Sequence, residues 1–151
     1  MSRTILGIDP GSRRVGVAVS DAGGSIAFPL AVLERKDDDS YLDELADLAR
    51  LREADEIVVG LPTRLDGTEG PEALEAVRIA GILRNKLGLP VHMLDERFTT
   101  RIAQGALRAN NVNSRKQKPM VDKVAATLLL QSYLDANPIK DEVDEPEKGT
   151  L

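Results

Sequence analysis

A chain of 151 residues is long enough to bury one ordinary domain core without covalent staples, and it calls for no second domain. It contains no cysteine, which excludes disulfides and thiol catalysis, and no apolar run long enough to span a bilayer. The formal net charge of −5 speaks superficially against a nucleic-acid partner, but it conceals a lopsided distribution.

Asp141, Glu142, Asp144, Glu145 and Glu147 against Lys148 leave the tail from 141 to 151 at about −4. From 97 to 123 the signs reverse: Arg97, Arg101, Arg108, Arg115, Lys116, Lys118 and Lys123 against Asp122 alone give a surplus of about +6. Met1-Ser2-Arg3-Thr4 enters a strand directly with no apolar leader, so the expected location is the cytoplasm.

Ile5, Leu6 and Ile8 predict a first strand, Pro10-Gly11-Ser12 a turn, and Val15, Val17 and Val19 a second strand alternating with small residues. Asp9 then falls at the end of the first strand, beside a glycine turn, where it can reach a metal ion or simply bond its own backbone. Ser25 to Leu33 predicts a third strand, placed at a sheet edge by Pro29. Asp37-Asp38-Asp39-Ser40 offers helix N-caps and a solvated acidic start, followed by Leu42, Leu45, Ala46, Leu48 and Ala49 at helical spacing.

Glu56 to Pro62 is a compact apolar strand of the kind buried in a parallel sheet, and a loop from Thr63 to Thr68 follows it. A second helix is expected from Glu69 or Glu72 to Gly88, with Leu74, Val77, Ala80, Leu83 and Leu87 turned to the sheet. Val91 to Leu94 forms a fifth strand that delivers Asp95-Glu96-Arg97 at its end. A third helix, capped by Thr99 or Thr100, is expected to run to about Ala109, and 113–119 reads as a basic loop. The last helix is expected from near Val121, with Val124, Ala125, Leu128 and Leu129 inward, to near Asp135–Pro138. Residues 139–151 read as an acidic, disordered tail after a domain spanning 1–138.

This order combines a three-strand meander with parallel crossovers, hence an α/β fold: a five-stranded mixed sheet flanked by helices, with strands one, four and five side by side. Ligands of open α/β sheets gather outside the carboxyl ends of parallel strands. Asp9 and Glu96 both leave such ends, the Gly60-Leu61-Pro62 loop leaves a third, and Asp122 could complete the cluster. If the register of strand five differs by one, Asp95 takes the place of Glu96. Asp122 could instead only favour a helix N-terminus.

Clustered carboxylates repel unless a cation sits among them, and hard ions with oxygen ligands, Mg2+ or Mn2+, meet that need. Two such ions can activate water and stabilise a leaving oxygen in phosphodiester cleavage. Arg97, Arg101, Arg115, Lys116, Lys118 and Lys123 in the basic window, with Arg13, Arg14 and Arg64 near Asp9, are candidate phosphate contacts. Tyr41, Tyr133, Phe28 and Phe98 are too scattered for a base-stacking platform, and His92, the only histidine, is read as structural.

Four blocks carry a resemblance to a known family: Gly7-Ile8-Asp9-Pro10-Gly11 with Val15 to Asp21, Val58-Val59-Gly60-Leu61-Pro62 with Asp66-Gly67-Thr68, Asp95-Glu96-Arg97-Phe98-Thr99-Thr100, and Val121-Asp122-Lys123 with Ala125-Ala126. In these the chain resembles the YqgF family, described as Holliday-junction resolvases and as pre-16S rRNA nucleases, with a ribonuclease H-like fold. The resemblance implies that Asp9, Glu96 and Asp122 are the catalytic, metal-binding acids, with Mg2+ or Mn2+ as cofactor and nucleic acid (precursor rRNA or branched DNA) as partner. Arg13 stands where that family often has lysine, and Arg64 where it often has asparagine. A junction resolvase would pair two sites across a homodimer. Two other readings remain: a nucleotide-binding relative of the actin and sugar-kinase fold, and a protein that holds nucleic acid without cutting it.

Overall fold

The computed structural model describes residues 3–36, 38–62, 70–95 and 114–138, with residues 114–122 described as backbone only. Its five strands are β1 (Ile5–Pro10), β2 (Arg14–Ser20), β3 (Ala27–Glu34), β4 (Glu56–Leu61) and β5 (Val91–Asp95). Three helices are described: α1 (Ser40–Leu51), α2 (Pro71–Leu87) and α3 (Ser114–Ala136). The sheet order is β3-β2-β1-β4-β5; β2 is antiparallel to β1 and β3, whereas β4 runs parallel to β1 and β5. This is the expected meander with two parallel additions, and Pro29 does lie on an edge strand.

Strand alternation divides the core cleanly. Leu6, Ile8, Val15, Val17, Val19, Ile57, Val59 and Val91 face α1 and α2, meeting Tyr41, Leu42 and Leu45 on one helix and Ala76, Ile79 and Leu83 on the other. Ile5, Ala18, Ala27 and Val58 face α3, meeting Ala126, Leu130, Tyr133 and Leu134. Between Val17 and Ala18 the pairing with β3 slips by one residue, so that Ala31 opposes Val17 but Pro29 opposes Ala18.

Several local expectations need correction. The N-cap of α1 is Asp39, yet its side chain makes no capping bond; it accepts from both terminal nitrogens of Arg78 at 3.1 Å, while Asp38 accepts from the Ser40 amide. The acidic start of α1 is thus partly tied to α2 rather than simply solvated. On α2 the buried stripe is Ala73, Ala76, Ile79, Ala80 and Leu83, and Leu74 and Val77 are 69% and 53% exposed. Starting the helix at Pro71 turns its small residues, not its first two large ones, toward the sheet, where a close approach needs little side-chain volume. At its other end α2 stops as expected, with Gly88 left-handed at φ 67°.

The segment expected as a basic loop is helical from Ser114 onward. Arg115, Lys116, Gln117 and Lys118 are good helix formers, and the helix runs on through Pro119, whose missing amide leaves the Arg115 carbonyl without its intrahelical bond. The inward face of α3 is Ala125, Ala126, Leu129, Leu130, Tyr133 and Leu134; Val124 and Leu128 are only partly buried. The third helix expected between 99 and 109, the loop from Thr63 to Thr68 and the acidic tail lie outside the described residues. No described helix is long and apolar enough to cross a membrane.

Candidate active site

Gly7 fixes how α3 lies on the sheet. A Cβ at this position would come within 2.8 Å of the Leu130 Cβ and 3.5 Å of the Ala126 carbonyl oxygen, so only glycine lets the helix settle here. Further back along β1, the Arg3 guanidinium donates to the Asn137 carbonyl oxygen at the end of α3. The helix therefore runs antiparallel to β1, and moving from Arg3 through Gly7 toward Asp9 is moving from Asn137 through Leu130 toward the start of α3. Position 122 is one turn before Ala126, in the third turn of the helix.

Asp9 is half-buried near the carboxyl end of β1. It shares the α3 face with Ile5 and Gly7, because side chains alternate along the strand. The two positions that lie directly across from it on that face are glycines. In β2 its partner is Gly16, and one step past the pair Ile8–Val59 it comes level with Gly60 of β4. Gly60 in turn pairs with Leu94 of β5, a residue packed into the α3-side core. Asp9 thus has a glycine directly across from it on either side, with Arg14 on the same face. Sequence reasoning placed Gly60 at this edge but gave Gly16 no part beside Asp9, although a glycine inside a strand is itself a signal of close approach.

Of the other acids, Asp95 ends β5 on the face of Val91 and Met93, the side covered by α1 and α2, and so opposite to Asp9. Glu96 lies outside the described residues. Asp122 belongs to α3, but nothing beyond its backbone is described; because the helix begins at Ser114, it is not a first-turn residue and does not serve the macrodipole there. Among the candidate phosphate contacts, Arg13 is exposed at the hairpin tip, Arg14 is half-buried on the same face as Asp9, and Lys123 is exposed on α3. Arg64, Arg97 and Arg101 lie outside the described residues, and Arg115, Lys116 and Lys118 are described as helix backbone only.

At the opposite end of the sheet, far from Asp9, a polar cluster fastens α3. Glu56 accepts from Arg3 at 2.7 Å and from the Tyr133 hydroxyl at 3.3 Å, and His92 stacks on Tyr133 with ring centres 5.5 Å apart. Burial pulls the Glu56 carboxyl upward, but the Arg3 guanidinium more than offsets it and holds the group below its ordinary value. Tyr133 is pushed up by burial and by the Glu56 charge. This is a structural setting for His92, as its sequence context suggested.

The sheet order β3-β2-β1-β4-β5, with α1 and α2 on one face and α3 on the other, is a ribonuclease H-like fold. Among solved structures it is similar to Thermus thermophilus RuvC in complex with a Holliday junction substrate, with a TM-score of 0.58 at 15% identity, covering 91% of this chain and 98% of that one. The family model described as RuvX, Holliday junction resolvase, matches residues 3–136, and the chain belongs to that family. Two relatives provisionally named pre-16S rRNA nuclease come from Syntrophus aciditrophicus and a Mycobacterium species (strain KMS). The first is 44% identical over 132 residues, which are 87% of this chain and 88% of the relative; the second is 46% identical over 132 residues, 86% of this chain and 78% of the relative. The YqgF resemblance carried by the four sequence blocks is borne out.

Proposed function

We propose that the chain is a divalent-metal-dependent nuclease that hydrolyses phosphodiester bonds in structured nucleic acid, with 5′-end maturation of pre-16S ribosomal RNA as its task. The observation that carries this reading is Asp9: a carboxylate near the carboxyl end of β1, on the α3 face, with Gly16 and Gly60 beside it. The antiparallel course of α3 favours Asp122 as its partner, and strand alternation favours Glu96 over Asp95, whose position puts it on the other face. Asp9, Glu96 and Asp122 form an all-carboxylate donor set suited to Mg2+ or Mn2+.

An ion bound there supplies charge stabilisation and a more acidic water. The chain's own part is to present the acids on rigid elements and to hold the nucleic-acid backbone. Among the candidate phosphate contacts, Arg13 and Arg14 at the hairpin and Lys123 on α3 are described, and Arg64, Arg97, Arg101, Arg115, Lys116 and Lys118 would extend the basic track. The working unit is the domain 1–138, acting in the cytoplasm, with 139–151 as an acidic tail.

A second reading is resolution of branched DNA by a homodimer; the description of the family and the RuvC likeness favour it. Membership of a resolvase family sets aside the kinase-like nucleotide-binding lobe. The test is cleavage of precursor rRNA and of a four-way junction by purified protein with Mg2+ or Mn2+, together with its mass in solution. Asp9→Asn is expected to abolish cutting; equal cutting by the variant would overturn the site, and metal-insensitive binding without cutting would leave a binding protein.

A further inference from the structure

We infer that Arg35 is a positioning residue that holds the β1–β2 hairpin tip, and through it Asp9, Arg13 and Arg14, in register with the rest of the site; this rests on the proposed role of Asp9. Arg35 follows β3, directly after Glu34, which pairs with Arg14. Its guanidinium donates to the Gly11 carbonyl oxygen at 3.0 Å, two residues beyond Asp9, and its amide donates to the Arg13 carbonyl oxygen at 2.8 Å. The tip is thus gripped at two of its carbonyls, on either side of Ser12, by one residue of the neighbouring strand end.

The grip has an anchor. The other terminal nitrogen of Arg35 pairs with Glu75 of α2, and the guanidinium lies over the Tyr41 ring of α1 at 4.9 Å from its centre. Glu75 is held in turn by Arg78 at 2.8 Å, which forks onto Asp39 at the start of α1. These bonds keep the Glu75 carboxyl at about 2, with Arg78 the larger cause and Arg35 next after the opposing effect of burial. Among the described residues a shallow cleft lies between Pro10, Gly11 and Ser12 on one side and Pro71 and Glu72 on the other, and Arg35 lines it between them. The side chain is only 19% exposed, so little water competes for these bonds.

The tip has little freedom of its own to spend. Gly11 donates to the Arg14 carbonyl oxygen at 2.9 Å, and a Cβ at Gly11 would stand 2.5 Å from that oxygen. Turning the Gly11 carbonyl away from Arg35 therefore displaces the turn as a unit, and Asp9 moves with it. Misplacement of a reacting group by about 1 Å is enough to cost on the order of a hundredfold in rate.

The experiment compares full-length wild type, Arg35→Met, Arg35→Lys and, as a control for loss of an arginine, Arg50→Met, whose partner Asp47 is an exposed neighbour on α1. Thermal unfolding first confirms that each is folded. Amide hydrogen exchange at Gly11 and Val15 is the readout that needs no activity. Cleavage kinetics with Mn2+ form the second. Arg35→Met is expected to raise exchange at the tip at least about tenfold and lower kcat about ten- to a hundredfold with KM nearly unchanged. Arg35→Lys is expected to recover part of both, and Arg50→Met to change neither. Tip exchange equal to wild type in Arg35→Met overturns the inference, as does an equal loss in Arg50→Met. If Asp9→Asn cuts like wild type, it is the site that fails, and tip exchange alone then decides the role of Arg35.

Discussion

Gly7 of β1 and Leu130 of α3 are in direct contact along a line where no Cβ fits: one added to Gly7 would lie 2.8 Å from the Leu130 Cβ. The obstacle is the root of a side chain rather than its flexible end, so relief requires α3 to lift from the sheet. Gly7→Ala is accordingly expected to destabilise the fold by about 1–3 kcal/mol. Because α3 also carries Asp122, cleavage should fall by more than stability alone explains. Urea unfolding followed by circular dichroism, beside cleavage rates under conditions where the variant is fully folded, checks both parts.

The corrected face of α2 makes a sharper contrast. Ile79 is fully buried and Leu74 is 69% exposed, although hydrophobicity alone ranks them together. Truncating Ile79 to alanine is expected to cost about 2–5 kcal/mol, and truncating Leu74 no more than about 0.5 kcal/mol. Equal losses in denaturant midpoint would mean that the helix is rotated from the orientation described.

Acid sensitivity follows from Glu75. Its folded value is about 2 against an ordinary 4.5, so the carboxylate contributes stability that is complete above pH 4.5 and is lost as pH falls toward 2. Glu75→Gln removes that contribution. The gap in urea midpoint between wild type and variant should therefore be widest near neutral pH and close progressively below pH 4.5, which a pH series of unfolding curves measures.

The clamp at the far end of the sheet should matter for stability and not for chemistry. Tyr133→Phe deletes the hydroxyl that donates to Glu56, and a cost of about 1 kcal/mol is expected. Glu56 lies below its ordinary value, so here too the contribution is present at neutral pH and lost on acidification. Cleavage by Tyr133→Phe at 25 °C should match wild type; a loss of rate would indicate that the Arg3–Glu56–Tyr133 cluster reaches the site.

Much of this was legible in the sequence because local pattern and fold agree. Alternation in Val15-Gly16-Val17-Ala18-Val19, the Gly88 stop and Pro29 each act through backbone geometry within a few residues, and each held. The misreadings share a different cause. Leu74 and Val77 fit the apolar period as well as Ala73 and Ala76 do, and only the close approach of α2 to the sheet decides in favour of the smaller pair. The stretch 113–119 read as a basic loop because it is polar, but Arg115 to Lys118 are good helix formers and the helix begins at Ser114. Asp9 stood out in the sequence as a candidate, whereas its place between Gly16 and Gly60 depends on a register between three strands that no single stretch encodes.

The slip in pairing opposite Ala18 bears on how the molecule meets its own kind. Among the described residues β3 borders the sheet, a template onto which another chain could add backbone bonds. Pro29 offers no amide there, and the surplus residue beside it bends the border out of the flat shape an incoming strand must match. Strand addition is blunted on this side.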